Sequence, residues 1–242
     1  MEEKSFKFEN INFVTTNSFT PNLTSELIYI SAKEFIKKNY EVLDLGCGSG
    51  VVGLTLLKQL QNFKLTSSDF SEGALKDTAF NAKEKNLQIN ILHSDIFENI
   101  TGKYDLIIND ISGISENVAK LSEWFLNAPC NSGIDGLNLF ERVIEGSAKF
   151  LKSNGVMIFP LLSLSNIDRA SKIINNYYTS KISLVKKEWF LPENIAIKNS
   201  EELQNLKENG HVYYQRKFGK LIVYTEVLCV KKNDSIIGDN LG

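Results

Sequence analysis

Histidine and cysteine are scarce in this chain, with two and three among 242 residues. His93 and His211 lie beside no cysteine pair, so the ligand spacing of a metal centre is missing and no metal is expected. Cys47, Cys130 and Cys229 are odd in number and far apart, which argues for reduced thiols rather than a disulfide framework. No apolar run approaches the roughly 20 residues that span a bilayer. The opening Met1-Glu2-Glu3-Lys4-Ser5-Phe6 has neither the basic head nor the apolar stretch of a secretory leader. An excess of one charge is lacking too: 27 Lys and Arg face 29 Asp and Glu, a net charge of −2 with a pI near 5.8. That balance offers nucleic acid no global attraction. Repeats and low-complexity blocks are missing as well. These absences leave a cytoplasmic protein expected to bind no metal, membrane or nucleic acid, long enough for one large domain with a substantial core.

What is present concentrates in Val42-Leu43-Asp44-Leu45-Gly46-Cys47-Gly48-Ser49-Gly50-Val51-Val52-Gly53-Leu54. Val42, Leu43 and Leu45 form the short apolar run of an interior parallel strand. The glycines let the backbone turn and approach a ligand closely, with the small Cys47 between them. From Val51 to Leu60 apolar residues recur at helical spacing, and the helix start presents unpaired N–H groups. Such a device holds a nucleotide-like molecule. A dinucleotide fold wants G-x-G-x-x-G, but after Gly46 and Gly48 the third position falls on Val51. The pattern is D-x-G-x-G-x-G, from Asp44 to Gly50. It resembles the first motif of the class I S-adenosylmethionine-dependent methyltransferases. Asp44 would repel a pyrophosphate but not a sulfonium ligand bearing an ammonium group, which favours S-adenosylmethionine over a nicotinamide dinucleotide.

Two further strand ends carry carboxylates. Lys64-Leu65-Thr66-Ser67-Ser68-Asp69 reads as a second strand, with Ser71 able to cap the next helix. Asp69 at that end suits an adenosine ribose, or else caps the turn; Phe70 suits the adenine face, or the core. Ile89 to Phe97 reads as a third strand. Its end resembles the matching segment of class I methyltransferases, which assigns Asp95 to the adenine amine and Ile96 to the ring.

Strands at 42–45, 64–69, 89–97, 104–110, 156–160, 181–189 and 221–229 alternate with helices. The helices are expected at 24–38, 51–60, 71–85, 116–126, 136–151, 167–177 and 201–207. Thr24 or Ser25 caps the first, and Lys152-Ser153-Asn154-Gly155 is a tight turn before the fifth strand. This alternation implies an α/β fold with a doubly wound, mostly parallel sheet. The layout is a single domain over 1–242. Residues 1–40 cover the cofactor, 41–189 form the core, 190–220 are an insertion and 221–231 the last strand, before a frayed polar tail.

The motif order resembles the methyltransferases related to release-factor glutamine N5-methyltransferases. Asn131-Ser132-Gly133-Ile134-Asp135-Gly136-Leu137-Asn138-Leu139-Phe140 looks like that family's glycine-aspartate-glycine loop. Ala148 to Gly155 looks like the end of the following helix and its turn. Phe19-Thr20-Pro21 with Thr24-Ser25-Glu26-Leu27 looks like its cofactor-covering segment. The resemblance implies a seven-stranded sheet with an antiparallel final strand. It also implies a cofactor set of Asp44, Gly46, Cys47, Gly48, Gly50, Asp69, Phe70, Asp95, Ile96 and Asn109.

The chain departs from that family after the fourth strand. Where members carry Asn-Pro-Pro and an aromatic residue, this chain reads Asn109-Asp110-Ile111-Ser112-Gly113. The prolines' rigid turn is gone and a carboxylate is added. The segment before Val42 is too short for a sizeable N-terminal substrate domain, which points away from a large protein acceptor. The expected activity is methyl transfer to a nitrogen or oxygen of a small molecule or peptide. Asn109 and Asp110 are the candidate catalytic pair, with Asp110 either accepting a proton, anchoring a cation or capping the next helix. Glu116, Trp124 and Phe125 are candidate pocket walls, and Tyr213 and Arg216 in the basic-aromatic insertion candidate acceptor contacts. Three alternatives stay open: protein glutamine N-methylation, a nicotinamide-dependent oxidoreductase, and a non-catalytic S-adenosylmethionine-binding regulator.

Overall fold

A computed structural model of the chain describes residues 4–16, 21–111, 113–122, 124, 130–197 and 199–232. The elements in order are β1 (Lys4–Phe8), β2 (Ile11–Thr15), α1 (Leu23–Lys33), β3 (Glu41–Leu45), α2 (Val51–Leu60), β4 (Lys64–Asp69), α3 (Glu72–Glu84), β5 (Asn90–His93) and β6 (Tyr104–Asn109). There follow α4 (Glu116–Lys120), α5 (Asn138–Phe150), β7 (Leu151–Leu162), α6 (Ile167–Tyr177), β8 (Tyr178–Phe190), α7 (Glu193–Ala196), α8 (Ser200–Glu208), β9 (Gln215–Lys217) and β10 (Lys220–Lys232).

The main sheet has the order β5-β4-β3-β6-β7-β10-β8, with the short β9 added beside β10. The first five of these run parallel, and β10 is antiparallel to both β7 and β8. The chain leaves β3 toward β4 on one side and later returns to place β6 on the other. The carboxyl ends of β3 and β6 therefore flank a topological switch point, where open α/β sheets bind ligands.

Alternation along the strands sorts the core into two faces. Val42, Leu106, Ile108 and Ile158 face α1 and α2, whereas Leu43, Leu45, Ile107, Met157 and Phe159 face α5 and α6. With apolar residues on both faces, β3 buries Asp44 as well. A third cluster packs the 190–220 insertion against α4, joining Ile114, Val118 and Leu162 to Leu191, Ile195, Leu203, Leu206 and Val212.

Several boundaries differ from expectation. α1 is capped by Asn22, whose side chain accepts from the Thr24 N–H at 2.8 Å, and it ends at Lys33 rather than 38. The Phe35 N–H bonds back to the Ala32 carbonyl, closing the last turn early. The helix expected over 116–126 is the single short turn of α4, and residues 125–129 lie outside the described residues. Lys152–Gly155 is an excursion within β7: Tyr104 pairs with Leu151 and Leu106 already with Val156. Lys152 anchors it through Asp105 at 2.7 Å.

The β1–β2 hairpin was not foreseen. Its two-residue turn, Glu9 and Asn10, has both residues at positive φ, matching the twist that tight hairpins require. The hairpin docks on α3: the Val14 N–H donates to Asn81 Oδ1, Asn81 Nδ2 donates back to the Val14 carbonyl, and Thr16 bonds Asp77. Phe13 is buried beneath it, with the Lys85 ammonium 4.1 Å from its ring centroid. Among the described residues no helix is long and apolar enough to cross a membrane. Phe13→Ala should cost about 3–5 kcal/mol in urea unfolding, the range for emptying a buried aromatic site; a loss below about 1 kcal/mol would mean that the hairpin is not part of the core.

Candidate active site

After β3 the chain turns at Gly46, whose φ is +72° and where an added Cβ would lie 2.4 Å from Ile111 Cγ1. The Gly46 and Cys47 N–H groups both donate to the Ser68 carbonyl at the end of β4. Gly50, also at positive φ, leads into α2. Gly53 sits one turn into that helix, and a Cβ there would fall 2.5 Å from Asp44 Oδ2. Its N–H donates instead to that oxygen at 3.1 Å. The missing side chain at Gly53 is what makes room for a buried carboxylate.

The loop is held from below by α3. Thr78 Oγ1 donates to the Gly48 carbonyl at 2.8 Å, and Asn81 Nδ2 to the Ser49 carbonyl at 3.0 Å. Asn81 thus ties the cofactor loop to the N-terminal hairpin. Asp69 Oδ2 accepts from the Gly48 N–H at 2.9 Å and Oδ1 from the Ser71 N–H at 2.8 Å. Cys47 is buried against Thr78, and burial followed by the charges of Asp44 and Asp69 pushes its thiol well up, away from nucleophilic use.

These elements enclose a cavity of about 540 Å³ at the switch point. Asp44, Gly46, Cys47, Gly48, Asp69, Phe70, Asp95, Ile96, Asp110 and Trp124 line it, so most of the residues singled out by sequence come together. Asp95 pairs with Arg142 of α5 at 2.8 Å, and Ile96 takes a positive φ to reach the cavity. Phe70 is exposed, with its ring stacked 6.0 Å from that of His93. Asp110 caps no helix; it accepts a hydrogen bond from Ser25 Oγ of α1 at 2.7 Å.

Other expected residues lie elsewhere. Asn109 is buried, and its Oδ1 accepts from the Ile111 N–H at 3.3 Å, fixing its own loop rather than lining the cavity. Gly50 supports the loop from outside the cavity wall. Glu116 Oε1 accepts from the Gly133 N–H at 2.7 Å, clasping α4 to the 131–136 loop. Tyr213 donates its backbone N–H to the Ser163 carbonyl and accepts from Gln215 at its hydroxyl, while Arg216 is exposed in β9 opposite Leu221. The insertion meets the cavity wall through its packing on Ile114 and Leu162 instead, and Trp189, in β8 just before it, packs edge-on against Trp124 with centroids 5.9 Å apart. Phe19, Thr20, Ser112 and Phe125 lie outside the described residues; Pro21, Asn22, Thr24 and Ser25 do border the cavity. Gly53, Thr78, Asn81, Ser25 and Arg142 were missed by sequence reading. Of these, only Gly53 had a local signal, three residues beyond Gly50 on the same helix.

A family model for the methyltransferase small domain matches residues 24–110. The release factor glutamine methyltransferase of Streptococcus pneumoniae is 34% identical over 137 residues, 54% of this chain and 49% of the relative. A putative protein N5-glutamine methyltransferase of Methanocaldococcus jannaschii is 32% identical over 120 residues, 50% of this chain and 60% of the relative. The chain spans about half the length of the curated relatives it matches. By structure, a T. thermophilus 16S rRNA N2 methyltransferase in complex with AdoMet and guanosine superposes with a TM-score of 0.61. The match covers 96% of this chain and 50% of that one at 15% identity, a likeness of fold. Residues 24–110 thus match the methyltransferase small domain, and the chain is similar to methyltransferases in sequence over about half of its length and in fold over most of it. The structural neighbour is named for rRNA, so the fold also serves nucleic-acid acceptors, and the expected exclusion of nucleic acid rests on charge alone.

The charge of the cavity fits that cofactor. Burial, opposed by the Gly53 N–H and reinforced by the charges of Asp110 and Asp69, pushes Asp44 up to about 7. Burial, opposed by the Ser25 hydroxyl, pushes Asp110 up to about 6. A ligand bearing sulfonium and ammonium groups relieves this, whereas a pyrophosphate would deepen it. Because both carboxyls titrate higher folded than unfolded, the folded chain binds more protons between pH 4 and 7. The ligand-free protein therefore loses stability as pH rises through that window. Affinity for S-adenosylmethionine should rise over the same window as the carboxylates ionise. Asp44→Asn keeps an acceptor for Gly53 but removes the charge. Calorimetry at pH 8 should show affinity at least about tenfold weaker, a loss of about 1.4 kcal/mol or more, and melting should show a higher ligand-free Tm than the parent. Undiminished affinity in this variant would refute the assignment.

Proposed function

We propose that the chain transfers a methyl group from S-adenosylmethionine to a nitrogen or oxygen of a small molecule or peptide. The observation that carries this reading is Asp110, a buried carboxylate at the end of β6 that borders the cavity shared with Asp44 and Asp69. When bound, S-adenosylmethionine supplies an electrophilic methyl group on a positively charged sulfur. In this reading Asp44 holds the ammonium end and Asp69 the ribose hydroxyls. Asp95 and Ile96 take the adenine edge and face, with Phe70 as the outer cover. Gly46, Cys47 and Gly48 let the backbone close on the ligand.

Asp110 orients the acceptor through its N–H or O–H and receives its proton. A carboxyl raised to about 6 is well matched to that exchange near neutral pH. Ser25 fixes the carboxylate rotamer, and Asn109 acts on the acceptor only indirectly, by setting the loop that carries Asp110 and Ile111. Holding the acceptor in line can supply effective molarities of about 10⁵–10⁸ M, so positioning accounts for much of the rate. The wall formed by Ile114, Leu162 and Trp124 keeps water away from the reacting atoms. Residues 190–220 are then a cap that braces this wall behind Ile114 and Leu162.

A second reading, protein glutamine N-methylation, is favoured by the names of the two sequence relatives. The absence of their aromatic-proline segment after Asn109 weighs against it. Transfer of labelled methyl from S-adenosylmethionine into fractionated source-cell extract separates the two. Label is expected in the small-molecule or peptide fraction, and label confined to intact proteins would favour the second. Asp110→Asn should lower the turnover by about 10²–10⁴ while the Kd for S-adenosylhomocysteine stays within about threefold. Unchanged turnover would remove Asp110 from the chemistry.

A further inference from the structure

The cavity holds more negative charge than its cofactor can neutralise. Asp44, Asp69, Asp95 and Asp110 line it, and Arg142 is the one cation among the described lining residues. Arg142 is already paired with Asp95. The segments 17–20 and 123–129, together with Ser112, contain no lysine, arginine or histidine in the sequence. S-adenosylmethionine carries a net charge of about +1 near neutral pH, with its carboxylate, ammonium and sulfonium ionised. Three carboxylates therefore remain against it, and a surplus of negative charge faces the acceptor.

The strand order divides this cavity. Asp69 and Asp95 follow β4 and β5 on one side of β3, while Asp110 and Leu162 lie at the ends of β6 and β7 on the other. The acceptor side is mostly apolar, formed by Ile111, Ile114, Leu162 and the indole of Trp124, which packs edge-on against Trp189, with the neutral amides of Asn131 and Asn138 also lining the cavity. Its charged group is Asp110, held by Ser25. A cavity of about 540 Å³ leaves room beside a nucleoside-sized ligand for little more than one ring or side chain.

Resting on the methyltransferase reading, we propose that the acceptor is an amine borne on an apolar, ring-sized group. Its nitrogen sits on Asp110 and its carbon skeleton lies against Ile114, Leu162 and Trp124. Phosphorylated and carboxylated acceptors are rejected by charge, because among the described lining residues the one cation, Arg142, is already paired with Asp95. A neutral amide is a poor match as well, since it leaves the buried carboxylate without a counter-charge. The bound ammonium, beside a sulfonium and a low-dielectric wall, has its own pKa pulled down and passes one proton to Asp110. The freed lone pair forms the N–C bond as the C–S bond breaks, and the sulfur keeps the pair as a neutral thioether. The product leaves as a methylammonium, and Asp110 returns its proton to solvent.

The test uses the full chain. Calorimetry first measures S-adenosylhomocysteine alone; no binding there would overturn the methyltransferase reading and this proposal with it. The saturated protein is then titrated at pH 8 with 2-phenylethylamine, 2-phenylethanol, 3-phenylpropionate, phenyl phosphate and a glutamine peptide blocked at both ends. The amine should bind at least about tenfold more tightly than the alcohol, with the two anions and the peptide weaker still. Asp110→Asn should erase the amine-over-alcohol preference without changing the Kd for S-adenosylhomocysteine. Trp124→Ala should weaken amine and alcohol alike. With S-adenosylhomocysteine bound, an amine no tighter than the alcohol, including no binding of either, would overturn the proposal and leave the methyltransferase reading standing. So would an anion or the peptide binding best, or a preference that survives in Asp110→Asn.

Discussion

Asp44 is a charge placed where a fold would not ordinarily keep one. It lies in β3, inside the parallel sheet, between Leu43 and Leu45, at 2% exposure. Removing a carboxylate from water costs several kcal/mol unless partners compensate. Among the described residues the compensation is a single hydrogen bond from Gly53 at the positive end of α2. The helix start must approach the strand end closely for that bond to form, which demands a glycine at 53 and a glycine turn before it. The remaining deficit is visible as a carboxyl pushed up to about 7. A site of this kind is destabilised when empty and relieved by a cation. That is the usual signature of a binding function overriding local stability.

The same logic governs the segment after β6, where proline rigidity is replaced by contacts made across the fold. Asn109 closes a short turn onto the Ile111 N–H, and Ile111 fills the space above Gly46 that a Cβ would otherwise occupy. Gly113 runs so close to the 131–136 loop that a Cβ would lie 2.4 Å from the Gly136 carbonyl oxygen. Ser132 donates to the Ile114 carbonyl, the Ser115 N–H bonds the Leu164 carbonyl, and Glu116 clasps Gly133. Two prolines would fix two φ angles locally. Here the loop after β6 is fixed by β7, α4 and the 131–136 loop together, so its position depends on the packing of that whole side of the cavity.

What was legible in the sequence follows from how local each cause is. The strands of the parallel sheet announce themselves as short apolar runs, and the bounds read for α6 match because its amphipathic period is local. That Asp44, Asp69 and Asp95 share one cavity was legible because each lies at or just past the end of its own strand. Side-chain direction was not. Asn109, Glu116, Tyr213 and Arg216 all sit near the expected place in the chain, yet their partners turn three of them away. Ser25 and Asp110, 85 residues apart, meet only because α1 packs across the switch point. The β1–β2 hairpin escaped because its Glu9-Asn10 turn lacks the glycine that usually marks such turns.

The basic and aromatic residues of the insertion illustrate the same limit from the other side. Their composition suggests an acceptor-binding surface, but in the fold four of the lysines there are engaged with neighbouring side chains. Lys186 lies 3.5 Å from the Tyr224 ring centroid, Lys207 lies 4.5 Å from that of Tyr214, and Lys217 and Lys220 pair with Glu188 and Glu193. Such contacts at the surface contribute little stability individually, yet together they define how the β9–β10 hairpin and α8 lie against β8. The consequence reaches the cavity through one residue. Trp189, anchored by its indole N–H to Thr225, presents its ring to Trp124. Thus β8, with the insertion packed in the same cluster, braces an aromatic wall of the cavity, and the charged group at that end is left to the segment after β6.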